Sequence, residues 1–227
     1  MVDLNIMFVD KTTVLCSKVL LMKSTLLEEL LRLEDRSNDP IPVPFFITDK
    51  ILVDLRTILE QENIGSFINS KIECLIQMLQ TSDFLAIHDT TAMLTEVIIR
   101  KVSNYNCFQI FKLTYNLPCF QEISQKSLHL MMTQINEFYS GHELSKHIKD
   151  PYVHQYDSMT FQEIEIMISY NNKTSTVAKI MIVKHWLSKN LDCEKKDKIL
   201  NIIYYINEEA CYIPRTEISF MRKIRKT

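Results

Sequence analysis

The chain has 227 residues, 46% of them hydrophobic and 24% charged, enough to bury roughly 70% of the surface that its extended form would expose. A formal charge of −2 supplies no long-range positive field, which argues against a nucleic acid or an anionic membrane surface as partner. Two glycines and six prolines leave little material for glycine-rich phosphate loops, and no stretch reaches the ~18 to 20 apolar residues that span a bilayer.

In chain order, LNIMFV from Leu4 to Val9 and TTVLC after Asp10-Lys11 predict two short strands joined by a tight polar turn. The next segment places Leu20, Leu21, Leu26, Leu27, Leu30 and Leu31 at helical spacing. Ser24 is positioned to cap a helix, but Leu27 stands where a capping box needs Glu or Gln, so the box is absent. A polar turn from Asp35 to Asp39 leads into PIPVPFF. Its alternate prolines fix φ and remove donors, so it is expected to be an extended edge. Thr48 or Asp49 opens a helix ending before Asn63-Ile64-Gly65, and a helix pair follows over 71–84 and 86–102.

Beyond residue 102 the strand signal vanishes. Helices are expected around 106–113, 118–139, 142–149, 159–167, 176–189 and 195–207, with Gly141 ending the long one and Asp150-Pro151 forming a turn. This change in pattern places a domain boundary near 102, giving domains 1–102 and 103–227, the second with a short basic tail, FMRKIRKT.

The residues announce no reaction. There is no GxSxG, no HExxH and no nucleotide-binding loop, so no catalytic, cofactor or metal residue is assigned and the chain is read as a non-enzyme. His142 and His147 are five apart, about 140° out of line on one helix, and the group His147, Asp150, His154 and Asp157 reads as surface polarity near a proline turn. Glu28, Glu29, Glu34 and Asp35 read as a solvated helix face or the rim of a protein interface, and NNKT at 171–174 as a surface turn. The six cysteines are scattered singly without CxxC, the pattern of reduced, buried thiols. Asp3, Asp10 and Lys11 interrupt any secretory apolar run, so the cytoplasm or nucleus is the expected compartment.

The order of elements resembles the BTB–BACK family. DLNIMFVDKTTVLCSKVLLMKSTLLEELL is similar to the opening of a BTB domain, with Asp3, Lys18, Leu20 and Ser24 at family positions. KIECLIQMLQTSDFLAIHDTTAMLTEVIIRKV resembles its paired helices, with Leu79, Phe84, Leu85 and Ile87 as core residues. SNYNCFQIFKLTYNLPCF onward resembles the junction into a BACK domain, through Asn106, Cys107, Ile110, Tyr115, Leu117 and Phe138, and VAKIMIVKHWLSKN its helix with a buried tryptophan, Trp186. NDPIPVPFFITDKILVDLRTIL also resembles S-phase-kinase-associated adaptors, and the Asn-, Ile- and Lys-rich style is similar to poxvirus BTB proteins.

The resemblance implies an α+β BTB/POZ-like domain followed by an all-α BACK-like domain, without kelch repeats. It implies a protein-interaction adaptor that recruits a partner to a cullin-type ubiquitin ligase, in a viral setting a modulator of host ubiquitylation. Leu27, Leu31, Phe45 and Phe46 are then candidate partner-binding residues, and a cullin N-terminal domain, an unknown substrate and a homodimer are the candidate partners. Ser17 replaces the histidine of many BTB proteins, and the first strand starts almost at Met1, which weakens domain-swapped dimerisation. The alternative is an assembly module, decoy or transcriptional cofactor that binds no cullin.

Overall fold

The computed structural model describes residues 5–7, 13–15, 22–32, 41–42, 47–61, 64–141, 152–170 and 175–190. Three short strands, β1 (Asn5–Met7), β2 (Thr13–Leu15) and β3 (Ile41–Pro42), form one sheet in the order β2-β1-β3. β1 and β2 are antiparallel, with Ile6 opposite Val14, whereas β3 runs parallel to β1, with Ile6 opposite Ile41. Otherwise the regular structure of the described residues is helical: α1 (Thr25–Arg32), α2 (Asp49–Gln61), α3 (Ile72–Phe84), α4 (His88–Lys101), α5 (Cys107–Thr114), α6 (Gln121–Gly141), α7 (Val153–Asp157), α8 (Phe161–Ser169) and α9 (Thr176–Lys189), with 3-10 turns at Gly65–Phe67 and Pro118–Phe120.

This corrects the expected fold class. The α+β BTB/POZ-like domain requires a sheet large enough to form a layer, and among the described residues the longest strands have three residues. So short a ladder cannot close a core. Among the described residues most buried apolar side chains lie on helices and the regular structure is overwhelmingly helical, so the BTB and BACK labels do not apply. Alternation in LNIMFV and TTVLC is compatible with strands, but how far they pair is decided by long-range contacts that alternation does not encode.

The chain divides into two compact units, one of Met1–Val102 with Leu117–Ile123, the other of Ser103–Asn116 with Ser124–Thr227. In the first, α2 buries Ile51, Leu52, Leu55, Ile58 and Leu59, a single stripe at helical period that packs on α3. α3 and α4 form the most extensively packed pair, with Leu75, Met78, Leu79, Leu94 and Ile98 between elements. Each such side chain contributes about 1.5–3 kcal/mol by leaving water.

In the second unit α9 packs on α7 and α8. α8 starts with a complete capping box: the Thr160 amide donates to Glu163 Oε2 at 2.6 Å, and the Glu163 amide to Thr160 Oγ1 at 3.3 Å. Ser175 caps α9 by accepting from the Ala178 amide at 3.1 Å, while its own amide donates to Asn136 of α6 at 2.8 Å. Trp186 is buried, and its indole N–H donates to the Met159 carbonyl at 2.8 Å, so burying it leaves no orphan donor. The helices expected at 142–149 and 195–207, the NNKT turn and the basic tail lie outside the described residues. α7 falls where the sequence reading placed only a polar turn.

Candidate functional site

The site is built on the corner between α3 and α4. Leaving α3, the chain makes a Schellman turn: the Ala86 amide donates to the Asp83 carbonyl and the Ile87 amide to the Ser82 carbonyl, both at 2.9 Å. The left-handed position of this motif is normally glycine, yet here it is Ala86, at φ 53°. Two hydroxyls at the start of α1 hold the turn. Ser24 donates to the Leu85 carbonyl and Thr25 to the Ala86 carbonyl, the latter at 3.1 Å. The Ser24 oxygen also accepts from the Leu27 amide at 3.1 Å, so one buried hydroxyl caps α1 and anchors the corner.

Beside this corner lies a pocket of about 450 Å³, within the size range of small-ligand sites. Its floor includes Ile58 and Leu59 from α2, Ile87, and Thr90 from α4, all buried. Its mouth carries Lys23, Thr25, His88 and Asp89, all exposed, and Met93 lines the side. The cap of α4 is Ile87, which offers no side-chain acceptor, so the first-turn amides of His88, Asp89 and Thr90, three residues that line the pocket, have no capping side chain. Their partial positive charge and the Lys23 ammonium favour an anion there, against which the exposed Asp89 carboxylate acts. Thr90 heads the buried stripe Thr90, Leu94, Ile98 of α4 and is 1% exposed.

The candidate contact residues do not gather here. Leu27 is fully buried in the core. Leu31 lies in α1, and Phe45 and Phe46 lie outside the described residues. The sequence reading missed the pocket, although one signal for it is present: Thr90 stands where the helical period of HDTTAMLTEVII calls for an apolar residue.

Among the described residues, reactive groups are not assembled. Burial pushes up the Cys107 thiol, which lies 3.3 Å from Gln134 Nε2, and burial with the neighbouring Asp83 carboxylate raises Cys119 to about 11. Both thiols are therefore poor nucleophiles at neutral pH. His129 lies 3.3 Å from the Tyr170 hydroxyl and His154 is exposed on α7, while His142 and His147 are outside the described residues. No group of three or more metal-binding side chains occurs among the described residues. None of their helices is long and apolar enough to cross a membrane.

No protein-family model and no curated protein matches the chain. With the helical architecture, this removes the BTB–BACK resemblance as a basis for assigning function.

Proposed function

We propose that the chain is a non-catalytic protein-binding module whose first unit receives a partner segment in the pocket between the α3–α4 corner, the start of α1 and the end of α2. The observation that supports this is the pocket's make-up: buried Ile58, Leu59 and Ile87 beside an α4 start with no capping side chain, and no nucleophile paired with a base among its lining residues. The expectation of a cullin scaffold drew on a BTB-type core, and without that core no feature of the pocket selects a cullin.

The test is selection of displayed peptides on the purified whole chain, followed by affinity measurements on the native protein and on Met93→Glu, which places a carboxylate in the pocket wall. Saturable binders that weaken at least about tenfold on Met93→Glu, with unchanged helical content, fit the proposal. Absence of any saturable binder, or binders indifferent to Met93→Glu, rejects it.

A further inference from the structure

We infer that the first turn of α1 is a latch on the pocket: it and the left-handed corner between α3 and α4 release and dock again as one unit, carrying one wall of the pocket with them. The consequence for partner capture rests on the protein-binding reading above, whereas the latch itself is tested without a ligand. Ala86 holds φ 53°, a conformation less favourable for alanine than for glycine, and a non-glycine residue keeps it only where its surroundings enforce it. Enforcement comes from 61 residues away. The Ser24 and Thr25 hydroxyls donate to the successive carbonyls of Leu85 and Ala86, so two bonds from α1 converge on the left-handed turn. Docking of α1 and the shape of the corner are thereby coupled, and each loses its support when the other lets go.

The hold of α1 is shallow. Of residues 22–29 only Ser24 and Leu27 are buried, the bond from Thr25 to Ala86 is exposed to water, and the pocket of about 450 Å³ leaves one side of the corner without packed atoms. Few buried apolar contacts and solvent-exposed hydrogen bonds mark a segment that opens at a lower free energy than the whole fold. The bodies of α3 and α4, by contrast, share the buried Leu75, Met78, Leu79, Leu94 and Ile98 and stay folded when the latch opens. Lys23 and Thr25 line the pocket together with Ala86 and Ile87, so the pocket is whole only in the docked state. A partner segment that fills it binds that state alone and holds the latch shut by linkage.

The experiment is residue-resolved hydrogen exchange on the whole chain, native, Thr25→Val and Ala86→Gly, with rates expressed as protection factors under conditions where they report the opening equilibrium. On α1 the probes are the Leu27 amide, bonded to Ser24 Oγ, and the Glu28 amide, bonded to the Ser24 carbonyl. On the corner they are the Ala86 and Ile87 amides, bonded to the Asp83 and Ser82 carbonyls. In the native chain all four should share one opening equilibrium, more frequent than that of the Leu79 and Leu94 amides. Thr25→Val removes the donor alone and should lower protection at all four about fivefold. Ala86→Gly relieves the left-handed alanine of the docked state and should raise protection at all four about two- to fivefold, including Leu27 and Glu28, which lie on another helix. Protection that rises only at residues 86 and 87 overturns the coupling, because the corner then keeps its shape when α1 leaves. Four probes that open no more often than Leu79 and Leu94 overturn the latch, and so does a Thr25→Val chain with native protection. A failed search for peptide binders, which would reject the protein-binding reading, leaves each of these results as it stands.

Discussion

Replacing Ser24 by alanine tests the corner on which the pocket stands. Its hydroxyl caps α1 through the Leu27 amide and donates to the Leu85 carbonyl, in a residue that is 1% exposed. Loss of the cap costs about 1 kcal/mol. Leaving a buried carbonyl without its donor adds about 1–3 kcal/mol. Ser24→Ala should therefore destabilise the protein by about 2–4 kcal/mol, roughly a 30- to 700-fold change in the folding equilibrium. Urea unfolding followed by far-UV circular dichroism measures this, and hydrogen exchange at the Leu27 amide locates it. Ser24→Gly separates the two roles: glycine is nearly as good a cap as serine, costing only a few tenths of a kcal/mol, but it cannot donate to Leu85. It should still lose about 1–3 kcal/mol. Alanine and glycine variants that both stay within about 0.5 kcal/mol of the native protein would refute the reasoning.

Ala86→Gly should stabilise the protein by about 0.5–1 kcal/mol, the relief of a left-handed alanine, less the greater chain entropy of unfolded glycine; a lower denaturation midpoint would contradict it. Glu163→Ala opens the capping box of α8 and should cost about 1–2 kcal/mol in urea unfolding, with Glu163→Gln losing less because an amide oxygen can still accept from Thr160. Cys119, with its pKa raised to about 11 by burial and Asp83, should react with iodoacetamide at about pH 8.5 roughly a hundredfold more slowly than an unperturbed thiol. Asp83→Asn should speed that reaction, and an unchanged rate would count against the assignment. Lys179 is buried, and desolvation lowers its pKa from 10.5. Between the lowered value and 10.5 the unfolded chain holds more protons, so the lysine's destabilising contribution is complete below that window and fades as pH rises through it. Lys179→Met should accordingly raise stability below the window, by an amount that shrinks with increasing pH in melting experiments.

Local signals explain which features could be read from the sequence alone. The stripe Ile51, Leu52, Leu55, Ile58, Leu59 specifies α2, and the apolar period of 176–189 specifies α9, because burying one face at 3.6 residues per turn needs no knowledge of the partner. Ser24 was legible as a cap because its bond to Leu27 spans three residues. The capping box at Thr160 and Glu163 was equally local, written in TFQE, and the sequence reading passed over it. The tertiary structure decided the rest. Among the described residues the ladder joins only residues 5–7, 13–15 and 41–42, and strand alternation carries no information on how far a ladder extends. The second bond of Ser24, to Leu85, joins residues 61 apart and brings the start of α1 to the α3–α4 corner. The pocket follows from that meeting, because residues of α1, α2 and α4 far apart in the chain are placed together by packing rather than by any local preference.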